Sequence, residues 1–128
     1  MEPKQQKMAL VKESPLESGV SFQGKEGKFA GVPVKELPEE QRKAVQKLLA
    51  TLIEPFRKDD QDEALACMQK QGGLDKCYLS FYKEGALAEG EWDNWRLEGP
   101  SFVWYFRGTP HVHVWANIAA DPAVKLNA

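Results

Sequence analysis

The stretch 101-SFVWYFRGTPHVHVWANI-118 decides the fold. Its side chains alternate with a period of two, and Gly108-Thr109-Pro110 interrupts the alternation as a turn between antiparallel strands would. If Arg107 to Pro110 form a two- or four-residue loop, Phe106 pairs with His111, Trp104 with His113 and Phe102 with Trp115. One face then carries Phe102, Trp104, Phe106, His111, His113 and Trp115, and the other Val103, Tyr105, Val112, Val114, Ala116 and Ile118. The aliphatic set suits a helix. The aromatic set, with both histidines of the chain, needs another cover. A three-residue loop would shift the register and undo this partition.

Working outward, Gly99-Pro100 separates a further strand in WDNWRLE, and KCYLSFY alternates in the same way from Cys77 to Tyr82. EGALAEG at 84–90 reads as the connection between them. Ahead of the strands lie two helices. In the first, Pro38 to Phe56, residues Val45, Leu48, Leu49, Leu52, Ile53 and Phe56 form one apolar stripe at the helical period. Pro38 suits its first turn, with Glu39 and Glu40 at the positive end of the dipole and Pro55 near its stop. The second runs from about Asp60 to Gln71. Asp59 or Asp60 serves as its cap, Leu65 and Met68 face inward, and Gly72-Gly73 ends it. Helices first and a meander of about four strands afterwards define an α+β domain, both helices packing on one face of the sheet.

The boundaries follow from composition. Residues 1–35 are polar, rich in Lys, Glu, Gly and Ser, and read as an N-terminal segment or linker. The α+β domain occupies 36–120, and 121–128 form a loose tail. With 17 basic and 19 acidic residues the net charge is −2, so there is no basic excess to attract nucleic acid. No apolar run approaches the roughly 18–20 residues that span a bilayer, and the opening MEPKQQKMALVKES lacks a secretory apolar core. The chain reads as soluble, with its compartment open. If it belongs to a longer precursor, export is open too. Cys67 and Cys77, nine residues apart, match no redox or zinc spacing. Buried reduced thiols are the first reading of this pair and a disulfide the second.

Chemistry centres on His111 and His113. Two histidines at i and i+2 on a strand project from one face with Cα atoms roughly 7 Å apart. Both imidazoles can then reach one copper, zinc or iron ion. Two ligands do not complete a site, and Asp93 or Glu98, with Glu91 and Asp121 as further candidates, would supply the third. Asp93 and Glu98 have opposite parity on a regular strand, so one of them serves more readily than both. Trp95, Trp104 and Trp115 would wall such a site as an aromatic pocket, while packing alone explains some of the tryptophans. Arg96 and Arg107 can each hold an anion or form ion pairs on the sheet surface. No nucleophile elbow and no phosphate loop is present.

The order of motifs is also familiar. Trp95-Arg96-Leu97-Glu98-Gly99-Pro100-Ser101-Phe102 followed by His111-Val112-His113-Val114-Trp115 resembles the C-terminal part of the domain-of-unknown-function 3500 group. The similarity covers roughly Gly31 to Ile118. It departs from the group in the position of the tryptophan after the second histidine and in P-H-V-H where N-H-I-H is commoner. The resemblance implies a module of a longer protein, makes a Cys67–Cys77 disulfide more natural, and adds weight to a metal or catalytic role for the histidines. It implies no substrate. The alternative to a metal domain is a metal-free module whose tryptophan-rich sheet face takes a small molecule, a protein partner or a second copy as a homodimer.

Overall fold

Pro38 caps a helix whose apolar stripe repeats at the helical period, and the chain folds around that stripe. The computed structural model describes residues 1–84 and 92–126. It is α+β, with α1 (Pro3–Ala9), β1 (Leu10–Val11), β2 (Val32–Pro33), α2 (Glu39–Ile53), α3 (Lys58–Lys70), β3 (Tyr78–Tyr82), β4 (Asn94–Gly99), β5 (Phe102–Arg107) and β6 (His113–Ile118). Three-residue 3-10 turns lie at Glu17–Gly19, Val34–Glu36 and Leu74–Lys76. Residues 85–90 of the expected connection and the candidate ligand Glu91 lie outside the described residues. Among the described residues no helix is long and apolar enough to cross a membrane.

Strands β3 to β6 form the expected antiparallel meander, each pairing with the next. Gly99 opposes Phe102, so Pro100 and Ser101 make a two-residue turn. A side chain at Gly99 would press on the Cys77 sulfur, so glycine lets the thiol pack over the strand end. The N-terminal region joins the sheet as well. β1 runs parallel to β3 opposite Phe81 and Tyr82, while β2 runs antiparallel to it opposite Tyr78 and Leu79. The two short strands thus share one edge of β3 end to end. Composition marked these residues as polar because their few apolar side chains follow no regular period.

One face of the sheet carries the helices. Val45, Leu49 and Ile53 of α2 and Met68 of α3 pack on Leu79, Leu97, Phe102 and Trp104, joined by Ala9, Val32, Val34, Leu37 and Cys77. Burial of each such aliphatic side chain contributes roughly 1.5–3 kcal/mol. α3 begins at Lys58 with Arg57 as its cap, two residues before the expected start, which leaves Asp59 and Asp60 in the first turn near the positive dipole end. The Gln61 amide closes the junction of the helices by donating to the Glu54 and Phe56 carbonyls. Gly72 and Gly73 end α3 at φ of 110° and 72°, as glycines after a helix do. Leu65, expected inward, is 42% exposed, and Phe56 is 52% exposed. Both stand at the rim of a groove.

The other face is buried too. Val20, Tyr82, Val103 and Tyr105 form a second core, with Val11, Phe22, Trp115 and Leu126 packed against it. Residues 12 to 23 therefore cross the sheet as a strap, and Leu126 of the expected loose tail lies against this core. Gly31, directly before β2, has φ of 99°, and a methyl there would collide with the Leu79 carbonyl of β3. Gly31→Ala should therefore lower stability by more than about 1 kcal/mol. Gly19→Ala, with nothing within 4 Å of the added carbon, should leave it within about 0.5 kcal/mol. Urea midpoints of the two variants check this.

Candidate functional site

The expected register of the last hairpin is not the one observed. Arg107 pairs with His113, Tyr105 with Trp115 and Val103 with Asn117, leaving the five residues 108–112 as the loop. Asp93 holds this loop, its carbonyl accepting from the Gly108 N–H at 2.8 Å and its carboxylate from the Thr109 hydroxyl at 2.7 Å. An odd loop exchanges the faces. Phe102 and Trp104 therefore face the helices, opposite Ile118 and Ala116, and the histidines face the strap. Alternation alone could not decide this, because β5 is buried on both sides from Phe102 to Tyr105.

The exchange redistributes the expected site residues. His111 and His113 come together, ring centroids 4.5 Å apart, and Trp115 lies 5.4 Å from His113. Trp95 and Trp104 are on the opposite face, Trp95 stacked on Phe106 at 5.8 Å. Asp93 shares the parity of Trp95 and is committed to the loop. Glu98 shares the histidine face but opposes Val103, which opposes Asn117, four positions along β6 from His113. Along a strand that is roughly 13 Å. Asp121 is exposed, and its carboxylate accepts from the Ala123 N–H. Among the described residues no three His, Cys, Asp or Glu side chains converge to hold one ion.

A carboxylate that sequence reading passed over does meet the histidines. Glu17, in the first 3-10 turn of the strap, places one oxygen 2.6 Å from Arg107 Nη1 and the other 3.4 Å from His113 Nδ1. Arg107 Nη2 lies 3.1 Å from the same Nδ1. If that nitrogen accepts from Arg107, the neutral ring carries its proton on Nε2. Nothing local marks Glu17, since it lies ninety residues before its partners in a segment without periodicity.

Beneath the strap, β4 presents a buried polar ladder of Asn94, Arg96 and Glu98 at alternate positions. Arg96 forms its ion pair with Glu98 at 3.7 Å inside the protein rather than on the sheet surface, and lies 4.6 Å over the Tyr105 ring. Gln23 donates to Glu98 at 2.9 Å. Tyr105 stacks on Trp115 at 5.2 Å, and its hydroxyl lies 2.7 Å from the Ser14 hydroxyl. Asn94 donates to the Glu84 carbonyl at 2.8 Å and to Ser14 at 3.2 Å.

On the helix side, the groove behind Phe56 and Leu65 has a volume of about 180 Å³. Leu49, Ile53 and Met68 form its helical wall, and Phe102, Trp104 and Ile118 its floor. It exists because Ala116, the small residue paired with Trp104, leaves the sheet low at that point. Trp104 is 7% exposed, and its indole N–H is buried without an acceptor among the described residues. An unsatisfied buried donor costs about 1–3 kcal/mol. Asp60, Gln61 and Asn117 supply the polar part of the rim.

Cys67 and Cys77 are free thiols. The Cys77 sulfur is buried 3.8 Å from that of Met68.

Comparison with protein-family models, with curated proteins and with solved structures found no match to this chain.

Two titrations follow from this geometry. Burial, opposed by the Gln23 hydrogen bond and Arg96, raises the Glu98 pKa above its ordinary value. The folded state then holds that proton more tightly than the unfolded chain, so this contribution to stability is present at low pH and lost as pH rises through the raised pKa. The urea midpoint of the parent should fall relative to that of Glu98→Gln as pH rises from about 4 through the raised pKa. A parallel pH dependence in both proteins would remove Glu98 as the cause. Burial, helped by the Glu98 charge, pushes the Cys77 thiol up to about 12. A disulfide reagent at neutral pH should label Cys67 in the native protein and Cys77 only on unfolding, read by mass spectrometry.

Proposed function

We propose that the protein binds a small apolar molecule bearing one hydrogen-bond acceptor in the groove between α2, α3 and strands β5 and β6. Trp104 lines the groove, and its indole N–H, buried with no acceptor among the described residues, is the observation that carries this reading. The remaining lining is largely aliphatic and aromatic, as small-molecule sites are. A volume of about 180 Å³ suits one ring or a short alkyl chain. An apolar cavity of about 150 Å³ is enough to hold benzene. Apolar contact supplies affinity here, and the indole selects the ligand that brings an acceptor. This is the metal-free module of the two sequence-based alternatives, with the site on the helix side of the sheet.

The test uses acetophenone against ethylbenzene, two ligands of similar shape of which only the first has a carbonyl. Titrations followed by NMR at the backbone amides of Asn117 and Ile118, and in the parent also at the Trp104 indole N–H, should give acetophenone an advantage of about two- to ten-fold, the worth of one net hydrogen bond. Trp104→Phe should abolish the advantage while both ligands still bind. Ala116→Leu should fill the groove and weaken both. Equal affinities in the parent, or an advantage that survives Trp104→Phe, would reject the reading.

A transition ion on His111 and His113 is the second reading, favoured by the 4.5 Å separation of the rings. Copper, zinc or iron would take nitrogen lone pairs there, and ligation through His113 Nδ1, though not through Nε2, would require Arg107 to release it. Stoichiometric metal in the parent, absent from the His111→Ala/His113→Ala variant by elemental mass spectrometry, would establish that reading.

A further inference from the structure

We infer that the opposite face holds a second binding site, under the strap, for a small zwitterion of the amino-acid type. Glu17 would act there as an internal competitor for the ligand's anionic group. The site is an open groove of about 530 Å³. Ser14 to Ser18 of the strap form one side, and Glu84, Asn94, Tyr105 and Arg107 form the other. It shares no lining residue with the Trp104 groove.

Two unmatched atoms define what the groove would take. Asn94 is 1% exposed, and its carbonyl oxygen has no donor among the described residues. Arg107 Nε is buried and has no acceptor among them. Asn94 and Arg107 are direct partners across β4 and β5, so their Cα atoms are about 5 Å apart. A ligand satisfying both would bring an N–H donor to Asn94 and an anionic acceptor to Arg107. The carboxylate and ammonium of an amino acid meet that requirement.

The charges around the groove point the same way. Arg107 forms the cationic end of the groove. Glu84 lies at the Asn94 end, its carboxylate accepting from the Ser14 N–H at 2.9 Å. A simple anion would meet Arg107 and then Glu84, which repels it. An ammonium turns that second contact into an attraction. The unpaired amide of Asn94 accepts the ammonium N–H between them.

Glu17 already presents a carboxylate to Arg107 and His113, at 2.6 and 3.4 Å. This contact is partly exposed, so exchange of one carboxylate for another costs little desolvation. The strap segment that bears it is held to the sheet by the Ser14 hydrogen bonds rather than by a large apolar contact, since Leu16 is 79% exposed. A ligand carboxylate would therefore displace Glu17 from Arg107 without unpacking the second core.

The experiment titrates ¹⁵N-labelled protein with L-alanine, propionate and inorganic phosphate, reading the Asn94 side-chain amide and Arg107 Nε–H signals. L-Alanine should shift both saturably and bind at least about three-fold tighter than propionate, the value of an added charge-assisted hydrogen bond at a wet site. Glu17→Gln should tighten L-alanine binding by about three-fold or more, since it removes the competing charge. Arg107→Lys, which keeps the charge but loses Nε–H, should weaken it, with the amide spectrum as the check on folding. Phosphate or propionate binding as well as L-alanine would overturn the zwitterion assignment. No saturable shift in either the parent or Glu17→Gln would overturn the site, and unchanged affinity in Glu17→Gln would overturn the competitor role. Because the Trp104 signal reads the other groove, failure here and failure of the apolar site are distinguishable.

Discussion

β5 is buried on both sides, and most of the structure follows from that constraint. Its residues from Phe102 to Tyr105 alternate between helices and strap with none left to solvent. The helices can cover only one face, so the N-terminal region must cross the other. Residues 1–35 therefore do more than link. They supply the cover of the second core and two short strands on the edge of β3. The register of β6 is held from the same region of the sheet, through the clamp of Asp93 on Gly108 and Thr109.

The same constraint explains what was legible in the sequence. The four meander strands and two central helices follow from periodicity, because α2 has a single apolar stripe and the strands alternate. The partition of side chains between faces does not. When a strand is covered on both sides, Trp104 and Tyr105 are equally good inward residues, and the pattern has no preferred parity. Only the length of the 108–112 loop breaks the tie, and its anchor is Asp93, the residue just before β4. Sequence reading thus set Trp95, Trp104 and Trp115 together around the histidines, whereas only Trp115 shares their face. It noticed that Arg107 could hold an anion and missed that Glu17 is the anion present. Long-range pairing of a strap residue with a strand end leaves no trace in local spacing.

Each face solves its burial problem differently. Beneath α2 and α3 the solution is largely apolar, and the Trp104 indole N–H is a buried donor there with no acceptor among the described residues. Beneath the strap the cover has few apolar side chains, chiefly Val20 and Phe22. The sheet answers with polar groups on β4, and Asn94, Arg96 and Glu98 form hydrogen bonds or ion pairs with partners around the second core. A buried pair such as Arg96–Glu98 gives little net stability, because desolvation offsets most of its attraction. Its separation of 3.7 Å is long for a strong charge-assisted bond. Stability on this face therefore rests on the tyrosine–tryptophan stack and on chain connectivity more than on charge.

That difference bears on where ligands can enter. Opening the helix-side core would expose Leu49, Ile53, Met68 and Phe102 together, at a cost of several kcal/mol by area. A ligand there must fit the hollow that Ala116 leaves. Lifting the strap near Ser14 to Ser18 breaks a few hydrogen bonds and one partly exposed ion pair, while Val20 and Phe22 keep the second core closed. Regions of few apolar contacts open first. In the readings proposed above, the helix face would select by shape and the strap face by charge. Trp104 and Tyr105, consecutive on β5 and directed to opposite sides, would then place the two kinds of selectivity back to back on one strand.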